Sequence, residues 1–188
     1  LKEFFQPFVS FYTEMLIASN SYKKAKKYLI KAWNYNPHPK LKDDIKKLSK
    51  AMKISYLEIA KLCKSNSNDE YETKLLMSES FIDSKKWQEA RKEIADLLSH
   101  KPSKEVCLLM SKIEEGDTND PQKIDTWVTR SNYADFSKIW ICQISSISQP
   151  DWNSVSNGGY FNSLKWQTPQ TNQETINSKL SNNIIKYI

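Results

Sequence analysis

The chain has 188 residues and a formal net charge of +6, from 28 Lys or Arg and 22 Asp or Glu. It contains only 3 glycines, which argues against a β-rich or dinucleotide-binding fold, because those folds need glycine at their turns. Three scattered cysteines without a C-x2-C pair predict no disulfide framework and favour a reducing compartment. No run of about 18 apolar residues is present, so no membrane-spanning segment is predicted. The basic balance fits nucleic acid, anionic lipid or an acidic partner, and equally fits simple solubility.

Apolar residues recur at helical spacing from the start of the chain. The first predicted helix covers residues 8–19, and its apolar side consists of Phe8, Phe11, Tyr12, Met15 and Leu16. The second covers residues 22–35, with Ser21 as a fitting N-cap. The Pro37-His38-Pro39 segment ends it, because proline cannot continue a helix.

Three further helix pairs follow in the chain. Residues 40–64 predict two helices separated near residues 51–53, and residues 71–102 predict a clearer pair with its turn at 83–85. The last pair covers residues 104–115 and 122–131, separated by a long loop that begins at Gly116. The sequence therefore predicts an all-α array of about eight helices between residues 4 and 134.

The tetrapeptide Leu-Leu-Met-Ser occurs twice, at positions 75–78 and 108–111. The offset between the two copies is close to the length of a tetratricopeptide (TPR) repeat, a hairpin of two helices. Small and large positions of the clearest repeat also recur about two repeat lengths earlier in the chain. They are Ser78, Ala90, Ile94, Leu97 and Pro102 in one copy, and Thr13, Ala25, Leu29, Ala32 and Pro37 in the other. The pattern predicts a TPR-like α-α superhelix, which buries its core between repeats and leaves one long face free.

The character of the sequence changes near Asp135. Two short strands are predicted, at residues 140–142 and 164–166, in a segment with little charge. After Pro169 the chain is polar, although Ile176, Leu180 and Ile184 have the spacing of one weak helix. We therefore divide the chain into helical repeats (1–135), a small C-terminal module (136–169) and a polar tail (170–188).

Three features together resemble the repeat domain of bacterial HemY-type TPR proteins, a family associated with haem biosynthesis. They are the Pro37-His38-Pro39-Lys40-Leu41 block, Trp87 with Ala90-Arg91, and Trp127 ahead of a tryptophan-rich module. The resemblance covers roughly residues 8 to 169. It implies a scaffold on the cytoplasmic side of the inner membrane, held by an N-terminal anchor ahead of Leu1.

In relatives of that family the C-terminal module resembles a small zinc ribbon, with four cysteine ligands. The ligand positions fall here on Cys142, Ser145, Ser156 and Gly159. Structural zinc needs four nitrogen or sulfur donors, so this module is predicted to be degenerate and metal-free, held instead by tryptophans such as Trp140 and Trp166.

The leading functional prediction is a groove that binds a peptide or protein partner. In TPR repeats the groove is lined by set positions of each first helix, which implies a mixed, somewhat acidic surface here. Its candidate residues are Glu14, Ile17, Glu72, Leu75, Glu79, Ile82 and Lys112. The alternative reading of these residues is an ordinary solvated helix surface.

The second functional prediction is a basic face that binds anionic lipid headgroups or, with less support, nucleic acid. Its candidate residues are Lys23, Lys24, Lys26, Lys27 and Lys31, with Lys40 and Lys42 beside them. The alternative reading is again a solvated helix face.

No enzyme, cofactor or metal is predicted. The chain has 2 histidines, neither placed to activate a Ser or Cys nucleophile. His38, between two prolines, is interpreted as a structural turn residue, because an axial haem ligand also needs an apolar pocket. The sequence leaves the partner and the oligomeric state open.

Overall fold

A computed structural model of the protein describes residues 4–65, 70–99, 101–134 and 138–169. The chain divides into two units, Leu1–Asp135 and Phe136–Ile188. The weak helix predicted around Ile176, Leu180 and Ile184 lies outside the described residues.

The first unit is helical, as predicted, and its described part contains eight α-helices. They are α1 (Gln6–Ala18), α2 (Tyr22–Tyr35), α3 (Pro39–Met52), α4 (Tyr56–Lys64), α5 (Glu70–Asp83), α6 (Trp87–Glu93), α7 (Lys104–Asp117) and α8 (Pro121–Asn132). A 3-10 turn at Ala95–Leu98 follows α6. Each odd-numbered helix packs on the even-numbered helix after it, and α1 also contacts α3, α2 contacts α4, and α5 contacts α7.

The turns inside the four hairpins share one backbone feature. Each contains a residue with positive φ, and these residues, Asn20, Lys53, Lys85 and Asn119, follow one another at nearly equal intervals along the chain. In the first three, the next residue donates its N–H to a carbonyl five residues earlier, as Lys86 does to Phe81 at 2.9 Å. This hydrogen bond closes a helix C-terminus when the residue before the donor is left-handed. The hairpins therefore repeat in their turns even where side chains differ.

Lysine in the left-handed region is unfavourable, because its Cβ crowds the following carbonyl. We expect Lys85→Gly and Lys53→Gly each to raise the free energy of unfolding by about 0.5–1 kcal/mol, since glycine adopts φ near 55° without strain. Denaturant midpoints measure the effect. The matched control is Lys50→Gly in the last turn of α3, where glycine should cost about 1 kcal/mol. Loss of stability in both turn variants would contradict the turn geometry.

Two clusters of buried side chains form the core of the helical unit. The first is built by α1 to α5 around the fully buried Trp33, and the second by α5 to α8 around Leu75 and Ile113. Ala25 and Ala90, the small residues of the repeat template, are both fully buried, as predicted. The small side chains at these two positions allow the neighbouring helices to pack closely together.

The predicted apolar side of the first helix is mostly wrong. The buried residues of α1 are Val9, Thr13 and Leu16, and only Leu16 had been assigned to that side. Phe8, Phe11, Tyr12 and Met15 are instead exposed. Because α1 is apolar on both sides, periodicity alone cannot decide which side faces the core.

The second helix of the clearest repeat is shorter than predicted. Helix α6 ends at Glu93. The next residue, Ile94, donates its N–H to the Lys92 carbonyl and does not make a helical hydrogen bond. The Ala90 carbonyl accepts a hydrogen bond from the Ser78 hydroxyl at 3.1 Å. The Ser78 hydroxyl thus satisfies a carbonyl in the last turn of α6, where carbonyl groups have no partner within the helix.

The long loop predicted to begin at Gly116 is also wrong, because α7 continues to Asp117 and only three residues separate it from α8. Glycine is required at 116 by close packing. A Cβ there would lie 2.3 to 2.6 Å from three ring carbons of Trp87 on α6.

We expect Gly116→Ala to lower the free energy of unfolding by about 1 kcal/mol or more, since the Trp87 ring must move. In a Trp87→Ala background the same change should stabilise by up to about 1 kcal/mol, because alanine is the better helix former. A double-mutant cycle of unfolding free energies measures the coupling. Equal effects of Gly116→Ala in both backgrounds would show that the ring and the glycine do not interact.

The second unit contains a small antiparallel sheet, with strand order β2-β1-β3 in its described part. The strands are β1 (Ile139–Cys142), β2 (Ser148–Gln149) and β3 (Leu164–Gln167). Both predicted strands are confirmed as β1 and β3, and they pair with Trp140 opposite Trp166. These two rings are 5.3 Å apart between centroids, so the cross-strand tryptophan pair stabilises the sheet. Strand β2 was not predicted.

Candidate functional site

Ion pairs connect the first helices of successive hairpins. Lys47 of α3 pairs with Glu14 of α1 at 2.6 Å. Lys42 and Lys46 of α3 pair with Glu79 and Asp83 of α5, at 2.8 and 2.6 Å. These ion pairs link α1 to α3 and α3 to α5, and α7 packs on α5. We call the side of these four helices that carries the ion pairs the first-helix surface.

Lys42 is the most unusual charge on the first-helix surface. It is 7% exposed, and such burial disfavours an ammonium ion. The nearby carboxylates of Glu79, Glu105 and Glu72 outweigh this burial and raise the pKa of Lys42 above its ordinary value. One lysine among three glutamates leaves this part of the surface acidic, although the whole chain has a net charge of +6.

The structure distributes the predicted groove residues unevenly. Glu14 and Lys112 are exposed, Ile17, Glu79 and Ile82 are half-buried, and Glu72 and Leu75 are buried. Leu75 has no exposed surface, so its assignment to a partner groove is wrong: it belongs to the second core cluster. Glu72 and Glu79 are brought together with Lys42.

Two groups of this surface were missed by sequence reasoning. Lys42 had been placed with the basic face, but it pairs with Glu79 of α5, and Glu105 of α7 also raises its pKa. Asp44 is buried, and Ser10 of α1 donates a hydrogen bond to it at 2.5 Å. Burial raises the pKa of Asp44, and the Ser10 hydrogen bond opposes this shift. No local pattern distinguishes these residues from surface charges, because their burial comes from other hairpins.

The lysines of the predicted basic face lie as expected on the outside of α2. Lys23, Lys24, Lys27 and Lys31 are exposed and Lys26 is half-buried, opposite the buried Ala25, Leu29, Ala32 and Trp33. Helix α2 contains no acidic residue.

The second unit places polar groups around one thiol. Cys142 is fully buried, and its sulfur lies 3.2 Å from the Ser163 hydroxyl and 3.4 Å from the Ser145 backbone nitrogen. Burial alone would raise the pKa of Cys142, but hydrogen bonds from Ser145, Ser163 and Ser156 lower it to about 6. Ser145 and Ser156, both zinc-ligand positions of the resembled family, thus meet at Cys142.

The fourth such position does not join them. A Cβ on Gly159 would meet no atom within 4 Å, whereas one on Gly158 would lie 3.0 Å from the Ser145 hydroxyl oxygen. Within the described ranges, no three His, Cys, Asp or Glu side chains are grouped so as to hold a metal ion.

His38 lies at the N-terminus of α3, where its Nδ1 accepts a hydrogen bond from the Lys40 N–H at 3.2 Å. The residue is 2% exposed. A side-chain acceptor at this position satisfies a backbone donor that the helix leaves without a helical partner.

None of the helices in the described part of the chain has the length and apolar character needed to cross a membrane. Comparisons with protein-family models, with curated proteins and with solved structures give no match to this chain. The resemblance to HemY-type proteins therefore rests on the residues quoted for it.

Proposed function

We propose that the protein is a non-enzymatic scaffold of TPR type, and that its first-helix surface binds a peptide or protein partner. The nearly equal intervals between the four hairpin turns, at Asn20, Lys53, Lys85 and Asn119, support a repeat array. Arrays of this kind bury their core between neighbouring repeats and leave an extended surface for partners.

The observation that carries the proposal is the acidic cluster of Glu72, Glu79 and Glu105 around Lys42. Lys42 is held by Glu79 and is not available to a ligand. The remaining negative charge suits a basic or mixed partner segment, because complementary charge guides association and excludes wrong partners.

A site-specific photo-crosslinker tests the location of the partner. We expect a crosslinker at Lys112 or Leu108, both exposed on α7, to capture a discrete partner in cells. The matched control places it at Lys27 of α2 or Gln122 of α8, which are exposed on second helices. Equal capture from all four positions would contradict a partner surface on the first helices.

Charge reversal then tests the acidic cluster. We expect Glu79→Lys to weaken the captured complex by about tenfold or more, with a smaller effect at high salt. Glu58→Lys is the control, because this substitution makes the same change in net charge. Glu58 is exposed on α4, which is the second helix of its hairpin. If both variants bind equally, net charge and not the cluster determines affinity.

We further propose that the chain is a HemY-type protein, anchored on the cytoplasmic side of the inner membrane and linked to haem biosynthesis. The Pro37-His38-Pro39 block at the start of α3 and the meeting of Ser145 and Ser156 at Cys142 support this relationship. The module should then be a zinc ribbon without its metal. Elemental analysis of purified protein is expected to find no stoichiometric zinc, and a one-to-one zinc content would show that the module is not metal-free.

A further inference from the structure

The outer side of α1 exposes an apolar stripe. Its side chains are Phe8 (49% exposed), Phe11 (61%), Tyr12 (37%) and Met15 (54%). Their spacing of three, four and seven residues places them on one side of a helix. The one charged residue of α1, Glu14, is paired with Lys47 and lies outside the stripe. Contiguous exposed apolar surface on a soluble domain marks an interaction site.

Lysines of α2 border this stripe. The Tyr28 ring of α2 packs nearly perpendicular to the Tyr12 ring, with centroids 4.9 Å apart. Lys24 and Lys31 are four residues before and three after Tyr28, so they lie on the same side of α2. Lys27 follows around the exposed side of that helix. The stripe and Lys24, Lys27 and Lys31 therefore form one surface, which we call the α1–α2 face.

These lysines differ from five other lysines of the helical unit that are tied to carboxylates. Lys42, Lys46, Lys47, Lys64 and Lys74 each hold a carboxylate of another residue. For Lys24, Lys27 and Lys31 no such ion pair forms among the residues that the structure describes. Their charge is thus available to an external anion.

We propose that the α1–α2 face docks on an anionic phospholipid bilayer. Exposed aromatic and methionine side chains would enter the boundary between headgroups and acyl chains, and the lysines would contact the headgroups. A bilayer of this kind has an anionic surface for the lysines of α2 and an apolar layer beneath it for the stripe of α1, so it matches both halves of the face.

Two other occupants fit less well. Single-stranded nucleic acid stacks its bases on aromatic rings, but Met15 offers no ring and Tyr12 is already in a perpendicular ring contact with Tyr28. A second copy of the chain would bring the lysines of two α2 helices together, and like charges repel.

Vesicle co-sedimentation of the full chain tests the proposal. We expect binding to phosphatidylcholine vesicles containing about 30 mol% phosphatidylglycerol to exceed binding to pure phosphatidylcholine by about tenfold or more. The difference should shrink as NaCl rises from about 50 to about 500 mM, because salt screens the lysines. Equal binding to both vesicles, or none to either, would overturn the proposal.

Variants separate the two halves of the face. Lys24→Glu/Lys27→Glu/Lys31→Glu should abolish the preference for anionic vesicles. Phe11→Ser/Met15→Ser should weaken binding to anionic vesicles severalfold while leaving the helical circular dichroism unchanged, since both side chains are exposed.

The charge-matched control is Lys50→Glu/Lys61→Glu/Lys92→Glu, three exposed lysines outside this face. This control variant should retain the preference for anionic vesicles. If it loses that preference, net charge alone explains the binding. Tight binding of oligo-dT without vesicle binding would identify nucleic acid as the ligand of the face. A dimer that Phe11→Ser/Met15→Ser abolishes would identify a second copy of the chain as its partner. Glu79→Lys should leave vesicle binding intact, which keeps this test independent of the partner surface on the first helices.

Discussion

Arg91→Met is expected to lower the free energy of unfolding by about 2–3 kcal/mol. Arg91 of α6 donates to Glu114 of α7, and also to Asp117 at 3.1 Å. The Glu114 side chain is 6% exposed. Methionine keeps the length of the side chain but leaves this carboxylate without its cation in a buried position. Removing one partner of a buried pair costs about 3–5 kcal/mol, and partial access of Arg91 to solvent reduces that figure.

The effect of Arg91→Met should depend on pH with a defined sign. The hydrogen bond from Arg91 lowers the pKa of Glu114 below its ordinary value, against an opposing effect of burial. A lowered pKa contributes stability above the pKa of the unfolded state, about 4.3, and that contribution is lost as pH falls through the lower pKa of the folded state. In the variant, burial without Arg91 raises the pKa of Glu114 instead. The stability difference between wild type and variant should therefore be full at pH 7 and decline as pH falls from the raised pKa of the variant to the lowered pKa of the wild type.

Denaturant unfolding at several pH values measures this difference. Lys92→Met, an exposed neighbour on α6, is the control and should change stability by under about 0.5 kcal/mol. Glu114→Gln combined with Arg91→Met should recover part of the loss, because the buried charge is then removed. An Arg91→Met variant as stable as Lys92→Met at pH 7 would show that the pair contributes nothing.

Ala90→Leu is expected to destabilise the protein by about 1–3 kcal/mol, because it adds three carbons where no space is left. Ala90 is fully buried where α6 packs on α5, and its carbonyl accepts the Ser78 hydrogen bond. Ala25→Leu should behave alike, since Ala25 is fully buried in the first hairpin.

Lys85→Ala is the matched control for both alanine positions. Lys85 is exposed in the turn before α6, and its replacement should change stability by under about 0.5 kcal/mol. Denaturant midpoints of the three variants are sufficient. If both leucine variants are as mild as Lys85→Ala, the equivalence of the two hairpins is wrong.

Boundaries were predictable from the sequence where local signals agree with tertiary packing. Helix α2 was predicted at its observed bounds, because Pro37 follows it and its apolar residues keep one period, although Ser21 forms no side-chain cap hydrogen bond. The strands β1 and β3 were also predictable, since β1 contains two isoleucines and a tryptophan and β3 contains a tryptophan, in a segment with little charge.

Features decided by contacts distant in sequence were not predictable. Gly116 looks like a loop residue until the Trp87 ring is placed against it. Lys42 looks like a solvated lysine until α5 and α7 bring their glutamates to it. For the same reason the glutamates of the groove could be anticipated without Lys42 among them, and Leu75 was assigned to the wrong side of α5.

Helix α5 has a further consequence for how the helical unit opens. It contributes Leu76 and Met77 to the first core cluster and Leu75 to the second, and Phe81 packs against both. Helix α8, at the far end, has one buried residue, Ser131, in the described part of the chain. Amide protons of α7 and α8 should therefore exchange with solvent through a partial opening that leaves α1 to α4 closed. The amides of α5 should exchange only when both halves open, so this helix sets the boundary between two cooperative units.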